Sequence, residues 1–129
     1  THSLWQLQIP KIDLVAEIAE GTSEEVLNEF IGHFENTEKA LGNIGLAAHN
    51  RGYPVNYFAK LKDLKNGDEI IYIYNGRVRS YEVVKSVIIE ETDWSYLNSS
   101  KENMLTLITC VENQPTKRRC LQAVEKVNS

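Results

Sequence analysis

The sequence predicts a fold dominated by β-structure, a mostly antiparallel barrel or sandwich of seven or eight short strands with two or three small helices. Apolar residues alternate with polar ones in short runs, as in Trp5, Leu7 and Ile9. Turn signals such as Asn66-Gly67 and Asn75-Gly76 punctuate those runs. Helical spacing is confined to brief stretches.

Taken in order, the run Trp5, Leu7, Ile9 is a strand that stops at Pro10, and Ile12 to Ile18 is a second strand. Thr22-x-x-Glu25 fits a capping box. Behind it Val26, Phe30 and Phe34, with Leu27 and Ile31, repeat at helical spacing, which predicts an amphipathic helix over Ser23 to Phe34. Gly42 and Gly45 bracket the entry to a short apolar strand, Ile44 to Ala48, followed by His49 and a turn-rich loop through Pro54. Phe58, Leu61 and Leu64 suit a short helix. Strands follow over Glu69 to Tyr74 and Val78 to Ile89, joined at Asn75-Gly76. Asp93 caps a short turn through Leu97, and Asn98 to Asn103 is a polar loop. Met104 to Val111 is an apolar strand, Glu112 to Lys117 a loop, and Arg118 to Val127 the closing strand.

With 129 residues the chain has the length of one domain and can bury a core without disulfides. Eighteen acidic against fourteen basic side chains give a net charge of −4, which argues against a general nucleic-acid binder. Two cysteines make no disulfide framework. His2, His33 and His49 lie far apart and no Cys-x-x-Cys occurs, so a structural zinc site has no support. No run approaches the roughly 18 apolar residues of a membrane span, and no signal peptide is visible. The chain opens on Thr1, so it reads as a processed product or as the excised soluble part of a longer protein.

Three places can carry chemistry. Cys110 ends the apolar run Leu105 to Thr109, where a strand fixes the backbone and the side chain emerges at a rim. A thiol attacks as thiolate, so it needs a base or a positive charge nearby. The competing reading is a buried packing cysteine. His49 also closes an apolar strand; it is either a proton shuttle or a rim histidine bonded to a carbonyl. A strand-end Cys and a strand-end His, remote in sequence, form the general pattern of a cysteine nucleophile. Arg118 and Arg119 start the strand after Cys110. A guanidinium can stabilise an oxyanion, and adjacent strand residues face opposite ways, so one of the two at most points into a site. The competing reading is a solvated basic edge.

The order of these pieces resembles the sortases, cell-surface cysteine transpeptidases of Gram-positive bacteria. Thr106-Leu107-Ile108-Thr109-Cys110 matches the family's TLxTC signature. Gly42 to His49 is similar to the segment that carries the family histidine, and Phe58-x-x-Leu61-x-x-Leu64-x-x-Gly67-Asp68 to the stretch that follows. Ile9-Pro10-Lys11-Ile12 resembles the usual entry to the fold. Family members place an Arg at a strand start with a small residue five positions later, which Arg118 and Ala123 satisfy. Arg119 and Gln122 interrupt the apolar run common there.

The resemblance implies an eight-stranded sortase-type β-barrel as one catalytic domain over residues 1–129. It implies that Cys110 attacks the Thr carbonyl of an LPxTG-like sorting signal, that His49 supplies a proton, and that Arg118 holds the substrate or its oxyanion. Ala48 and Thr109 would line the peptide groove. An amine from a peptidoglycan precursor, or another acceptor amine, would then take the acyl group. The implied location is the extracellular face of the Gram-positive cell membrane, with this chain the soluble catalytic part and any anchor N-terminal to it. The short segment Val111 to Pro115, with Arg119-Cys120 and no lid segment, is most similar to class D, with class A second. No cofactor is implied. Some class A members bind calcium before the histidine strand, where Glu35 and Glu38 stand here, but calcium needs about six oxygen ligands and a solvated acidic loop is the simpler reading. Cys120 reads as a packing residue. A thiol hydrolase and a catalytically silent surface barrel are the alternatives.

Overall fold

The computed structural model describes residues 4–111 and 113–126. Among these, eight strands occur: β1 (Trp5–Ile9), β2 (Leu14–Glu20), β3 (Ile31–His33), β4 (Asn43–Ala47), β5 (Glu69–Tyr74), β6 (Arg77–Glu90), β7 (Met104–Val111) and β8 (Gln114–Glu125). They close into a barrel in the order β1-β2-β3-β4-β7-β8-β6-β5. The pairs β2–β3 and β4–β7 are parallel; the other neighbours are antiparallel. Alternation decides which side chains enter the core. On β7 and β8 the fully buried Leu105, Leu107, Leu121 and Ala123 point inward. The intervening residues therefore face outward in three opposed pairs: Thr106 with Gln122, Ile108 with Cys120, and Cys110 with Arg118.

That outer face is covered rather than bare. A 3₁₀ turn at Ser95–Leu97 crosses it, and its Tyr96 carbonyl accepts from Asn43 Nδ2 (2.8 Å), Thr106 Oγ1 (3.3 Å) and Gln122 Nε2 (3.3 Å). Asp93 Oδ1 accepts from the Ser95 amide at 3.1 Å and so holds the turn, but the cap position is Trp94, one residue later than expected, and it makes no side-chain cap bond. Buried Phe58, Leu61 and Leu64 join the core from the β4–β5 connection, where the helical part is the single 3₁₀ turn Leu61–Asp63.

Several boundaries differ from expectation; β4 is shifted back by one residue to Asn43–Ala47 and β6 is longer by one at each end. The amphipathic helix over Ser23 to Phe34 is a single turn, α1 (Glu24–Leu27), and Ile31–His33 is strand β3. Ile31, Gly32 and His33 are all buried and pair in parallel with Ile18 to Glu20, so sheet closure overrides the local helical spacing. Gly32 makes that pairing possible: a Cβ there would lie 2.4 Å from the Gly21 carbonyl oxygen. The cap of α1 is Ser23 rather than Thr22; Ser23 Oγ accepts from the Val26 amide at 3.3 Å. Residues 10–12 form a 3₁₀ turn ahead of β2, which starts at Leu14. Strand β8 begins at Gln114, not Arg118, because Asn113 takes a left-handed conformation (φ 62°) and turns the chain back at once. Glu112 and Val127, in the expected loop and closing strand, and His2 lie outside the described residues.

Candidate active site

Three sequence-distant segments meet at the end of β7. β4 and β7 run parallel with Ala47 beside Ile108. The ladder continues past the strand: the Ala48 amide reaches the Ile108 carbonyl (3.4 Å), and Thr109 Oγ1 donates to the Ala48 carbonyl (2.7 Å). The chain leaves β4 through Ala48 and His49, and His49 and Cys110 line the same groove. Asn50 Nδ2 donates to the Cys110 carbonyl at 2.8 Å and the Phe58 amide to the His49 carbonyl at 3.1 Å, so both backbones are tied. From the other side β8 sets Arg118 directly opposite Cys110. The ladder shifts register between Cys110 and Val111, an irregularity that turns a strand-end side chain toward a rim.

His49, Cys110 and Arg118 line one groove of about 470 Å³ on the outer face of β4, β7 and β8. Ala48 and Thr109 line it too. Its apolar wall includes Leu27, Phe34, Leu97, Ile108 and Trp94, with the Phe34 and Trp94 rings edge to face at 6.1 Å. Its rim carries Glu90, Glu91 and Asp93. This mixture of apolar wall and few polar groups suits an extended peptide.

Cys110 is exposed, whereas Cys120 is buried and its thiol is pushed up to about 12 by burial. Cys110 is therefore the accessible thiol, and Cys120 the packing residue expected from sequence. His49 stacks flat on Tyr53, ring centroids 3.6 Å apart and 8° from parallel. Burial holds its imidazole below the ordinary 6.5, against a weaker upward pull from Glu24. Its buried Nε2 has no hydrogen-bond partner among the described residues. Arg118 Nη1 donates to the carbonyls of Pro115 (2.9 Å) and Lys117 (2.8 Å), and Nη2 lies 3.3 Å from Glu91 Oε2. Arg119 faces away from the groove and lines a different pocket. An exposed thiol, an imidazole and a guanidinium thus line one groove, the kinds of group that acyl transfer to sulfur can use.

A family model for the sortase domain matches residues 7–126. The chain belongs to the sortase family. Among curated relatives, sortase D of Bacillus subtilis (strain 168) is 30% identical over 107 residues, covering 81% of this chain and 52% of that protein. Sortase A of Bacillus anthracis is 28% identical over 127 residues, covering 96% of this chain and 60% of that protein. This sortase chain thus spans little more than half the length of those relatives, and a sortase D stands above the sortases A, in line with the class order read from sequence. Solved sortases share the barrel. Sortase C1 of Streptococcus agalactiae has a TM-score of 0.87 at 28% identity, covering 100% of this chain and 70% of that one. Sortase C-1 of Streptococcus pneumoniae has a TM-score of 0.90 at 27% identity, covering 98% and 68%. No helix among the described residues is long and apolar enough to cross a membrane.

Ahead of β4, His33, Glu20, Glu38 and Lys39 form a polar cluster. Buried His33 has Nδ1 2.7 Å from Glu20 Oε2 and Nε2 2.7 Å from the Glu38 carbonyl; that carbonyl only accepts, so Nε2 donates. Lys39 Nζ lies 2.7 Å from the other Glu20 oxygen. Burial acts to raise the Glu20 carboxyl, but hydrogen bonds from His33 and Lys39 outweigh it and hold it below the usual 4.5. Both Glu20 carboxylate oxygens and the Glu38 carbonyl thus face nitrogens of His33 or Lys39. Glu35 and Glu38 gather with no third acid, His or Cys into a metal-holding group among the described residues.

Sequence analysis did not single out Glu91, Phe34 or Trp94 as groove residues, nor Tyr53 as the ring stacked on His49. Trp94 carried a usable signal, a large aromatic inside a capped polar turn; it is 60% exposed. Glu91 carried none, because its partner Arg118 comes from β8.

Proposed function

We propose that this sortase is a cysteine transpeptidase. It cleaves an LPxTG-like sorting signal after Thr and joins the released acyl group to an amine nucleophile of the cell wall. One observation carries the reading: His49, Cys110 and Arg118, 61 and 8 positions apart in sequence, line the same groove. Residues 1–129 act as one catalytic domain at the extracellular face of the Gram-positive cell membrane.

Cys110 gives its thiol proton to the His49 imidazole, and the thiolate attacks the Thr carbonyl carbon in the groove lined by Thr109 and Ala48. The carbonyl electron pair moves to oxygen, and Arg118 stabilises that oxyanion. The intermediate collapses, the Thr–Gly C–N bond breaks, and His49 gives its proton to the leaving amine. A thioacyl-enzyme remains. An incoming amine then attacks it, the C–S bond breaks with its electron pair returning to sulfur, and the amine's proton passes to His49. The depressed basicity of His49 suits this role, since a weakly basic imidazolium releases its proton readily to an amine.

The test is incubation with a panel of sorting-signal peptides and a glycine or diamine acceptor, with products read by mass. An amide between the Thr carbonyl and the acceptor supports the reading. Acid product alone, with acceptor present, identifies a thiol hydrolase instead, and no product with any peptide identifies a silent barrel.

A further inference from the structure

A base that works with a nucleophile is ordinarily oriented by a third group. No hydrogen bond among the described residues reaches the buried Nε2 of His49. The contact that fixes its ring plane is Tyr53, which lies face to face with it, centroids 3.6 Å apart and 8° from parallel. Helical spacing does not produce this stack, because residues 49–54 are bends and irregular chain. The loop itself holds the phenol ring in place. The Phe58 amide donates to the His49 carbonyl at 3.1 Å and closes the loop at its base. Gly52 takes φ 82° less three, at +79°, in the left-handed region, and turns the chain back. Pro54 restricts the Tyr53 backbone to extended conformations. Asn56 clamps Tyr53 on both sides: its Oδ1 accepts from the Tyr53 amide at 3.2 Å, and its Nδ2 donates to the Tyr53 carbonyl at 2.8 Å. Tyr53 is 45% exposed and lies outside the lining of the groove, so neither core packing nor the donor groove accounts for this clamp.

We propose that Tyr53, clamped by Asn56, is a positioning residue that holds the His49 imidazole in the plane from which it exchanges protons with Cys110 and the leaving amine. The proposal rests on the transpeptidase reading and adds a residue to the same site. With one face covered by the phenol, the imidazole loses its freedom about χ2 in advance rather than at each turnover. The choice of an aromatic partner has a chemical consequence. A carboxylate in this role would make the ring more basic. A neutral aromatic face orients the ring and leaves it below its ordinary 6.5, where burial holds it.

The test is single-turnover thioacylation at varied concentrations of an LPxTG-like peptide, on the unmodified chain and on Tyr53→Phe, Tyr53→Leu and Asn56→Ala. Rates are taken per folded molecule from urea curves on the same preparations. Tyr53→Leu should lower the maximal rate roughly two- to tenfold, the factor one aromatic pair is worth, with the half-saturating peptide concentration unchanged. Tyr53→Phe keeps the ring face and should keep the rate. Asn56→Ala should lower it by less than Tyr53→Leu, and it carries the comparison if Tyr53→Leu does not fold. The His49 ring protons should lie upfield in the unmodified chain and in Tyr53→Phe, and lose that ring-current shift in Tyr53→Leu. An unchanged maximal rate in the folded variants overturns the proposal. So does a change confined to the half-saturating concentration, which marks a substrate contact, or a loss in Tyr53→Phe equal to that in Tyr53→Leu, which assigns the effect to the hydroxyl. If the unmodified chain forms no thioacyl adduct, the transpeptidase reading is what has failed. Positioning is then read from alkylation of Cys110 by iodoacetamide at about pH 7, below the ordinary thiol range. Slower alkylation of Tyr53→Leu, with Tyr53→Phe like the unmodified chain, supports it, and equal rates overturn it.

Discussion

Cys110 and Arg118 are direct cross-strand partners on the outer face of the β7–β8 pair, and Arg119 is turned to the opposite face. Alternation along β8 thus distinguishes two arginines that sequence alone left side by side. Arg118→Gln is expected to slow thioacylation by about 10²–10³-fold, the usual loss for an oxyanion donor. Arg119→Gln should cost that step less. Arg118→Lys should restore activity only partly, because a single ammonium cannot keep the Pro115 and Lys117 carbonyl bonds and face an oxyanion too. Single-turnover thioacylation of the three variants measures this.

His49 is expected to titrate below 6.5 in the free protein, and Tyr53→Ala should raise its midpoint by exposing the stacked ring. The sign for stability follows. Above 6.5 the imidazole is neutral in both folded and unfolded chains. As pH falls, the unfolded chain binds the proton first, so the contribution of His49 to stability is lost as pH falls through its lowered folded value. NMR titration of the ring protons in both proteins checks the midpoint.

Gly45 links the barrel to the groove. A Cβ there would come within 2.7 Å of Leu97 Cδ2 and 3.1 Å of Phe34 Cδ2, both of which line the groove. Gly45→Ala should cost about 1–3 kcal/mol of stability through overpacking and raise KM more than it lowers kcat, because the displaced side chains line the groove wall away from Cys110 and His49 in the proposed reaction. Urea unfolding and steady-state kinetics on one preparation separate the two effects.

Glu20→Ala should cost about 1–2 kcal/mol, since it leaves the Nδ1 of fully buried His33 without its partner; Glu20 is 35% exposed, which keeps the value low. The Glu20 carboxyl is held below 4.5, so its contribution is present above that value and lost as pH falls through the folded one. The urea midpoint should drop less steeply on acidification in Glu20→Ala than in the unmodified chain.

Much of the barrel is legible in the sequence wherever one face of a strand meets the core and the other meets water. Trp5–Ile9, Glu69–Tyr74 and Met104–Val111 have the bounds their alternation or apolar run predicts. Strand β3 is not legible, because Ile31, Gly32 and His33 are buried together and alternate with nothing. Their helical spacing with Val26 and Phe30 is real but is overruled by pairing with β2. The start of β8 is hidden by polar residues and Pro115, which pack against no core. At the site, Cys110 near the end of β7 is visible in sequence, while β4 stops at Ala47, two residues before His49; the parallel β4–β7 pairing that brings the two segments side by side is encoded by no local pattern. Glu91 reaches Arg118 through the β6–β8 pairing and is likewise invisible until the barrel closes.

The most direct test of the account is the intact mass of the protein after brief incubation with an LPxTG-like peptide. The unmodified chain should gain the mass of the N-terminal peptide fragment as an adduct that hydroxylamine removes and that maps to Cys110. Cys110→Ala should gain nothing while melting within about 0.5 kcal/mol of the unmodified chain, as an exposed strand-end substitution does. Cleavage of the same peptide by Cys110→Ala, or an adduct on any other residue, would contradict the account.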